Sequence, residues 1–307
     1  MELLPGDTLF DGQYRVVRQL GRGSFGHAYL IQDTLRGEGA VIKELSPALA
    51  GGESVVQHIV TKARALMELD HRHLVHIHDV FVENGYAYIV MEFLAGGSLE
   101  HRLRTRGRLP LAEAVRVAAE VCDGLAYAHG SGLVHANMKP SNIFLTPDGA
   151  KISDFGAAGA LWQILDRTGE IPSGMPAEFA ARMVPFLAPE QTVGLADSPQ
   201  VDIYAAGAVL YEMLAGRAHL DFDPKETSAA QVENMARIQR EEPQPPSAHN
   251  PHVPDWLDDV VLQALAKEPG QRFAGAEAMQ AALLAGDLGD IEEDKTGTAT
   301  AAQSIQA

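Results

Sequence analysis

Several short motifs in this 307-residue chain carry residue types that can bind phosphate or move protons. The glycines of a GxGxxG run stand at Gly21, Gly23 and Gly26, and Lys43 follows in AVIK. Further along are HANMKPSN at 135–142, DFG at 154–156 and APE at 188–190. The glycine spacing alone is shared by glycine-rich hairpins and dinucleotide-binding turns. A strand pattern follows it here instead of a helix, which argues against dinucleotide binding.

The composition describes an acidic protein without structural cysteines. Lys and Arg total 24 against 41 Asp and Glu, a net charge of −17, so nucleic acid and anionic membrane surfaces are disfavoured partners. Cys122 is the only cysteine, which excludes an intrachain disulfide and suits a reducing cytoplasm. The first ten residues lack the features of a secretory signal. The most apolar run, 201–216, includes Asp202 and is too short to span a membrane, so we expect no membrane insertion.

The periodicity predicts a strand-rich region followed by a helical one. Alternating β-branched and aromatic residues predict strands, and apolar stripes at helical spacing predict helices. The predicted strands are 14–20, 27–33, 39–45, 75–81 and 86–93, and the main predicted helices are 53–69, 111–130, 202–216 and 255–267. We therefore expect an α+β chain with a small lobe over 1–94 (14–94 proper), a larger lobe over 95–285, and a disordered acidic tail over 286–307.

The order and spacing of the motifs would be very improbable by chance. Over roughly residues 14–285 the chain resembles the protein kinases, and especially the stand-alone Ser/Thr kinases typical of bacteria. The resemblance implies a two-lobed fold, with a β-rich N-lobe that contains one helix and a larger, mainly helical C-lobe. It also implies ATP with Mg²⁺ as cofactors and a protein as substrate or partner.

The resemblance also implies a role for individual residues. The glycine-rich loop would cover the phosphates and Lys43 would contact them, while Met91 would be the gatekeeper and the backbone of 92–94 the adenine-binding hinge. Asn142 and Asp154 would hold Mg²⁺, and Lys139 would belong to the catalytic loop. The expected nucleotide-binding residues are Leu20, Gly21, Gly23, Gly26, Ala28, Val41, Lys43, Met91, Glu92, Leu94 and Phe144.

The chain departs from the family pattern where the chemistry is done. The family catalytic loop reads His-Arg-Asp, whereas this chain has His135, Ala136 and Asn137. The Asn137 amide can hydrogen-bond an acceptor hydroxyl, but it has no basic carboxylate to take the proton. Without the arginine, Ala136 cannot receive an activation-loop phosphate, so switching by loop phosphorylation is not expected.

A third departure concerns the helix after Lys43. Counting back from His71 places Lys62 where the family has the glutamate that pairs with the strand lysine. Two ammonium groups at one site would repel each other, so we expect the helix to rotate or Lys62 to turn outward. Glu53 and Glu68 are the nearby alternatives, and an insertion could also shift this register.

These departures favour a pseudokinase that binds ATP with Mg²⁺ and regulates or scaffolds a protein partner. The alternative is a weak or unconventional Ser/Thr kinase in which Asn137 positions the hydroxyl and a metal-bound phosphate accepts its proton. Transfer of AMP by an inverted nucleotide is a third possibility without a positive signal.

Two further groups of residues invite a chemical interpretation. The histidines at 71, 73, 76 and 78 could bind zinc or could be ordinary surface and capping residues, and the second reading is favoured. His135 is expected to be a buried, hydrogen-bonded strut, and Cys122 an inert, half-buried thiol.

Overall fold

The computed structural model describes residues 3–22, 26–45, 53–155, 183–195, 198–223 and 228–287. The first part of the chain forms a six-stranded antiparallel sheet with the order β1-β2-β3-β4-β6-β5. Its strands are β1 (Thr8–Leu9), β2 (Tyr14–Arg22), β3 (Gly26–Asp33), β4 (Glu38–Leu45), β5 (Ile77–Glu83) and β6 (Tyr86–Glu92). One helix, α1 (Glu53–Leu66), lies between β4 and β5 in the chain.

Alternating side chains give this sheet two apolar faces, because successive residues of a strand point to opposite sides. One face carries a separate aromatic cluster in which Tyr14, Phe81 and Tyr88 pack ring against ring. The other face joins the main core, to which α1 contributes a stripe that includes Val56, Val60 and Ala63. The small lobe is therefore stabilised on both sides of the sheet.

Helices dominate the rest of the described chain. They are α2 (Leu99–Arg106), α3 (Leu111–Gly130), α4 (Pro199–Ala215), α5 (Ser228–Arg240), α6 (Asp255–Ala264) and α7 (Ala276–Ala285). A short hairpin of β7 (Ile143–Thr146) and β8 (Gly149–Ile152) packs against α3. Helix α4 is buried almost all round, with Ser198 as its N-cap and Gly216 in the left-handed conformation at its end.

The predicted order of strands and helices is confirmed, with shifts at several ends. Helix α1 ends at Leu66 instead of 69, α4 begins at Pro199 instead of 202, and α6 ends at Ala264 instead of 267. Strand β1, helices α2, α5 and α7, and the β7–β8 hairpin were not predicted individually. The division into 1–94, 95–285 and 286–307 stays a prediction, and 288–307 lies outside the described residues.

The apolar run at 201–216 belongs to the protein core. It lies in α4, whose described residues contact α3 and α6, and Asp202 is completely buried within it. In the part of the chain that the structure describes, no helix combines the length and the apolar character needed to cross a bilayer.

A buried histidine in the helical lobe predicts acid-sensitive stability. The Nε2 atom of His219 lies 2.9 Å from the Tyr204 hydroxyl, and burial, with a smaller effect of the Lys267 ammonium, lowers the pKa of His219 to about 3. The unfolded chain takes up this proton near pH 6.5, so acid favours unfolding between these two values. The contribution of His219 to the free energy of unfolding should fall by about 1.4 kcal/mol per pH unit below 6.5.

Urea unfolding at pH 7 and pH 5 measures this effect. The His219→Phe variant retains a ring against Tyr204 but has no group to protonate. Between pH 7 and pH 5, its free energy of unfolding should therefore fall by about 2 kcal/mol less than that of the unmodified chain. The same replacement of His252, an exposed residue, is the control and should leave the pH dependence unchanged. Parallel pH profiles for the unmodified chain and the His219→Phe variant would contradict this prediction.

Candidate active site

Neighbouring strands of the small-lobe sheet bring together five of the eleven predicted nucleotide-binding residues. In the strand register, Ala28 of β3 lies opposite Lys43 of β4, and Val41 of β4 lies opposite Met91 of β6. Val41 and Lys43 are two residues apart, so their side chains point to the same face. Gly21 lies opposite Ala28 on the neighbouring strand. The sheet therefore presents these five positions together.

The glycine-rich turn joins β2 to β3 at the end of this face. Leu20 lies at an irregularity in the β2–β3 register and is partly exposed, and Gly23 lies outside the described residues. Gly26 packs so closely against the Glu44 carbonyl that a Cβ atom would overlap it. Any side chain at position 26 would thus separate β3 from β4 at the mouth of the turn.

Lys43 contacts the carboxylate of Asp154 directly, although 111 residues separate them in the chain. Burial alone would raise the pKa of Asp154, but the Lys43 ammonium and its hydrogen bond outweigh it, so the pKa is lowered and the carboxylate is ionised. Both side chains remain about one-quarter exposed. Asp154 also has a φ of +65°, in the left-handed region, which costs backbone energy that the ion pair helps to offset.

Three residues of the segment 137–142 belong to the predicted catalytic loop and metal site, and the segment is bonded to the strand end before Asp154. Asn142 ends a 3₁₀ turn (Pro140–Asn142), and its Nδ2 atom donates to the Asn137 carbonyl at 2.9 Å. Asn142 is also tied to the segment before Asp154, since the Ser153 N–H donates to its carbonyl at 2.8 Å. The Asn137 side-chain amide takes part in no hydrogen bond among the described residues, and Lys139 is buried nearby in the same segment.

A buried histidine holds the start of this segment. His135 is completely buried, and burial lowers its pKa despite the opposing effect of the Asp202 carboxylate. The ring is therefore neutral: Nδ1 accepts from the Asn137 N–H at 3.1 Å and Nε2 donates to the Ser153 carbonyl at 2.9 Å. These contacts match the buried, hydrogen-bonded strut that the sequence predicts, and they position the backbone of Asn137.

Asp202 holds the backbone at the start of the same segment. Its carboxylate accepts hydrogen bonds from the backbone N–H groups of His135 at 2.8 Å and Ala136 at 2.7 Å, and it lies 2.8 Å from His129 Nε2. Ala136 has a φ of +59°. Its carbonyl accepts a hydrogen bond from Gln191, which the sequence analysis did not single out. The strained backbone at Ala136 is therefore held by polar contacts on both sides.

Replacing Asp202 should destabilise the fold strongly. The Asp202→Ala variant leaves two buried N–H groups without an acceptor, which should lower the free energy of unfolding by about 2–6 kcal/mol. Asp202→Asn retains one acceptor oxygen and should lose clearly less. Urea unfolding of the three proteins measures the series, and an alanine variant within about 1 kcal/mol of the unmodified chain would refute the assigned role.

The predicted hinge contains an ion pair that the sequence analysis missed. Glu92 Oε1 lies 2.6 Å from the Lys151 ammonium of β8 and accepts a hydrogen bond from the His76 N–H at 2.8 Å. Leu94 follows at an intermediate exposure, and Phe144 lies on β7 opposite Lys151. The Glu92 side chain is therefore engaged with Lys151 and the His76 N–H, which agrees with the expectation that this segment would contact adenine through its backbone.

Glu190 of the APE motif and the buried Arg272 form an ion pair. The guanidinium donates to both carboxylate oxygens, at 2.6 and 2.8 Å, and also to the carbonyls of Ala266, Lys267 and Gln200. This hydrogen-bonded ion pair holds the APE motif against the residues around Arg272.

The structure describes only some of the other residues that the sequence analysis named. Lys62 and Glu53 lie on α1, but their side chains are outside the described residues, so the helix partner of Lys43 stays a prediction. Glu68 lies just beyond the end of α1 and is exposed. Residues 156–182, which include the hydroxyl residues Thr168 and Ser173, are also outside the described part of the chain, so the expectation that loop phosphorylation is not a switch stays a prediction.

The histidine run and the cysteine have no role in this site. His71 and His73 both lie near the Asp123 carboxylate, with Nε2 atoms 3.4 and 3.8 Å from Oδ2, whereas His78 Nδ1 bonds Arg36. Among the described residues, no group of three His, Cys, Asp or Glu side chains is placed to hold a metal ion. Cys122 is completely buried and not half-buried as predicted, and burial raises its thiol pKa to about 12.

The donors on the metal side suit Mg²⁺. A hard cation prefers oxygen ligands, and Asp154 supplies an ionised carboxylate. Asn142 commits its Nδ2 to the Asn137 carbonyl, which leaves its amide oxygen as the available metal ligand. The donor set is small, as expected for an ion that shares its coordination with substrate phosphates and water.

A family comparison decides what this arrangement is. The protein kinase domain model matches residues 14–284, which is most of the chain. The chain belongs to the protein kinase family. Protein kinases use ATP with Mg²⁺ and act on proteins. The curled β-sheet of the small lobe and the helical large lobe are the N-lobe and C-lobe of the kinase fold.

The kinase domain is similar to bacterial Ser/Thr kinases in particular. It is 35% identical over 282 residues to the serine/threonine-protein kinase Pkn1 of Myxococcus xanthus, covering 89% of this chain and 38% of that protein. It is 32% identical over 272 residues to PrkC of Bacillus subtilis, covering 88% and 40%. The chain thus spans about two-fifths of the length of these relatives.

A crystal structure supports the fold assignment. The kinase domain of Mycobacterium tuberculosis PknI superposes with a TM-score of 0.71 at 26% identity, covering 92% of this chain and 99% of that one. The two-lobed kinase fold expected from the motifs is confirmed.

Proposed function

We propose that this kinase domain transfers the γ-phosphoryl group of Mg-ATP to serine or threonine hydroxyls of a protein, at a low rate. The observation that supports it most is the contact between Lys43 and the ionised Asp154, because we assign Lys43 to the phosphates and Asp154 to Mg²⁺. The relatives named as Ser/Thr kinases favour this alternative over the pseudokinase that the catalytic-loop sequence first suggests.

Each residue has a defined task in this proposal. Lys43 would exchange part of its contact with Asp154 for the α- and β-phosphates, and Asp154 with Asn142 would hold Mg²⁺. The ion, when bound, neutralises charge on the phosphates. The glycines of the loop bring backbone N–H groups to the phosphates, and Ala28, Val41 and Met91 offer an apolar surface to the base. In the family, the position of Ala28 usually holds valine and the position of Val41 usually holds alanine. The two residues are exchanged here, so the total side-chain volume is conserved.

Asn137 limits the rate in this proposal. Its amide oxygen can accept a hydrogen bond from the acceptor hydroxyl and so orient it toward the γ-phosphorus. As the new O–P bond forms and the bond to ADP breaks, the hydroxyl proton passes to a phosphate oxygen, because a carboxamide cannot take it. Phosphoryl transfer depends mainly on positioning and electrostatics, which is why a reaction without a general base is slow but feasible.

A pseudokinase is the second candidate, and the residues at 136 and 137 favour it. Ala136 and Asn137 remove both the phosphate-docking arginine and the general base of the family. In that case the chain would bind Mg-ATP and regulate or scaffold a protein partner through its conformation alone.

Label transfer separates the two candidates. The full chain is incubated with an acceptor protein, Mg²⁺ and either γ-labelled or α-labelled ATP. We expect slow, Mg²⁺-dependent labelling of serine or threonine from γ-labelled ATP and none from α-labelled ATP. If γ-label does not reach the acceptor while ATP still binds, the proposed kinase activity is wrong and the pseudokinase stands. Label from α-labelled ATP would instead identify AMP transfer.

A further inference from the structure

A cavity on the C-lobe, apart from the groups assigned to the nucleotide and metal, is rich in arginine. Its volume is 370 Å³, and it lies between α2, the first turns of α3 and the β7–β8 hairpin. Arg102 and Arg106 of α2 and Arg116 of α3 line it together with the apolar residues Leu145 and Ala150. A cavity of this size is within the range that binds ligands.

The charge around this cavity is opposite to that of the whole protein. Residues 101–116 contain five arginines and one histidine but a single acid, Glu113, while the complete chain has a net charge of −17. A concentrated positive patch on an acidic protein attracts anionic groups locally. The acidic remainder repels long polyanions, which disfavours nucleic acid and anionic membranes as occupants.

The arginines retain donors for an additional anion. Arg102 uses Nη2 to bond both oxygens of Glu113, at 3.1 and 2.9 Å, but its Nε atom is buried without a partner among the described residues. Arg106 is exposed and makes no ion pair with any residue that the structure describes. The buried Arg102 Nε is not accessible from the cavity, so the exposed guanidinium groups of Arg106 and Arg116 offer the donors for an incoming carboxylate.

The spacing of these arginines fits an extended acidic peptide. Arg102 and Arg106 are one helical turn apart, about 6 Å along the axis. Alternate side chains of an extended chain point the same way and repeat about every 6.6 Å. Arg116 of the neighbouring helix, whose Nη1 also bonds Glu120 at 3.0 Å, adds a third guanidinium, and Leu145 and Ala150 add apolar lining. Successive carboxylates of one short segment can therefore meet successive guanidinium groups.

We propose that this cavity binds a short segment of a protein partner that carries glutamate or aspartate at alternate positions. Arg102, Arg106 and Arg116 contact its carboxylates, each through charge-assisted hydrogen bonds. The site goes beyond the proposed phosphoryl transfer, because it would recruit a protein whether or not that protein is phosphorylated.

Fluorescence anisotropy with the full chain tests this site without ATP, so the outcome does not depend on phosphoryl transfer. The probe is a labelled eight-residue peptide with glutamate at alternate positions separated by serine, in 150 mM salt to suppress unspecific attraction. We expect saturable binding of this peptide and none of the same peptide with glutamine in place of glutamate.

Charge reversal locates the contact. The Arg106→Glu, Arg116→Glu double variant changes two exposed positions and should weaken binding about 100-fold, since each charge-assisted hydrogen bond is lost. Arg104→Glu is the matched control: it is exposed on the same helix but does not line the cavity, and should weaken binding about threefold or less. Urea unfolding confirms that the variants are folded.

Three results would overturn the proposal. The first is absence of saturable binding by the glutamate peptide. The second is an equal loss of affinity in the Arg104→Glu and the double variants, which would indicate attraction to the charged helix only. The third is binding of a phosphoserine version of the peptide without binding of the glutamate version, which would assign the cavity to phosphate.

Discussion

The Asn137→Asp variant is expected to transfer phosphoryl groups about 10² to 10⁴ times faster than the unmodified chain. The change replaces an amide NH₂ by a carboxylate oxygen of nearly the same size. The Asn137 side chain makes no hydrogen bond among the described residues, so none of those bonds is lost. The new carboxylate can take the proton of the acceptor hydroxyl, and phosphate transferred per minute from γ-labelled ATP measures the gain.

The Asn137→Ala variant separates orientation from proton transfer. If the Asn137 amide orients the acceptor hydroxyl, its removal should lower the residual rate further, while Mg-ATP binding should stay unchanged. Equal rates for the asparagine and aspartate proteins would show that the proton leaves by a route that does not involve position 137.

The second large effect is expected at Asp154. The Asp154→Ala variant removes the only carboxylate that we assign to Mg²⁺, and phosphoryl transfer should fall by at least about 10³-fold, equivalent to several kcal/mol of charge stabilisation. Lys43 also loses its contact, so the two halves of the cleft lose a direct link. The rate of label transfer at saturating ATP and Mg²⁺ measures the loss.

Asp148→Ala is the matched control for this prediction. Asp148 is an exposed carboxylate in the turn between β7 and β8 of the same lobe, and its loss should leave the rate unchanged. Transfer that survives in Asp154→Ala, or that falls equally in both variants, would remove Asp154 from its assigned role.

Local patterns predicted the small lobe well, because alternation along the strands is a direct consequence of packing on both faces. Once β3, β4 and β6 are predicted as strands, their antiparallel register is enough to place four site residues on one face of the sheet: Ala28, Val41, Lys43 and Met91. The β7–β8 hairpin was missed because each of its strands has four residues. Helix α2 was missed because only Leu99 and Leu103 are buried, which gives too short a stripe.

Helix ends were misplaced where apolar residues were weighed more heavily than caps. The start of α4 is marked by Ser198 as N-cap and Pro199 in the first turn, but the prediction began with the apolar run at 202. Helix α6 ends at Ala264, shortly before Pro269, which cannot continue a helix.

The contacts of the site could not be found from local sequence. Lys43 and Asp154 are 111 residues apart, and Glu92 and Lys151 are 59 apart. Only the tertiary fold creates these pairs. The family resemblance assigned Lys43 to phosphates and Asp154 to a metal, but it did not predict that the two would contact each other. The arginine-lined cavity likewise needs two helices and a hairpin to come together.

Thermal unfolding of the full chain with ATP, with and without Mg²⁺, tests most directly whether the phosphate and metal side of the cleft works. At 100 times the Kd, Mg-ATP should add about 2.7 kcal/mol to the free energy of unfolding. This gain should require Mg²⁺, persist in Asn137→Asp and disappear in Asp154→Ala. If Mg-ATP fails to stabilise the unmodified chain, then neither slow phosphoryl transfer nor nucleotide-dependent scaffolding describes this kinase domain.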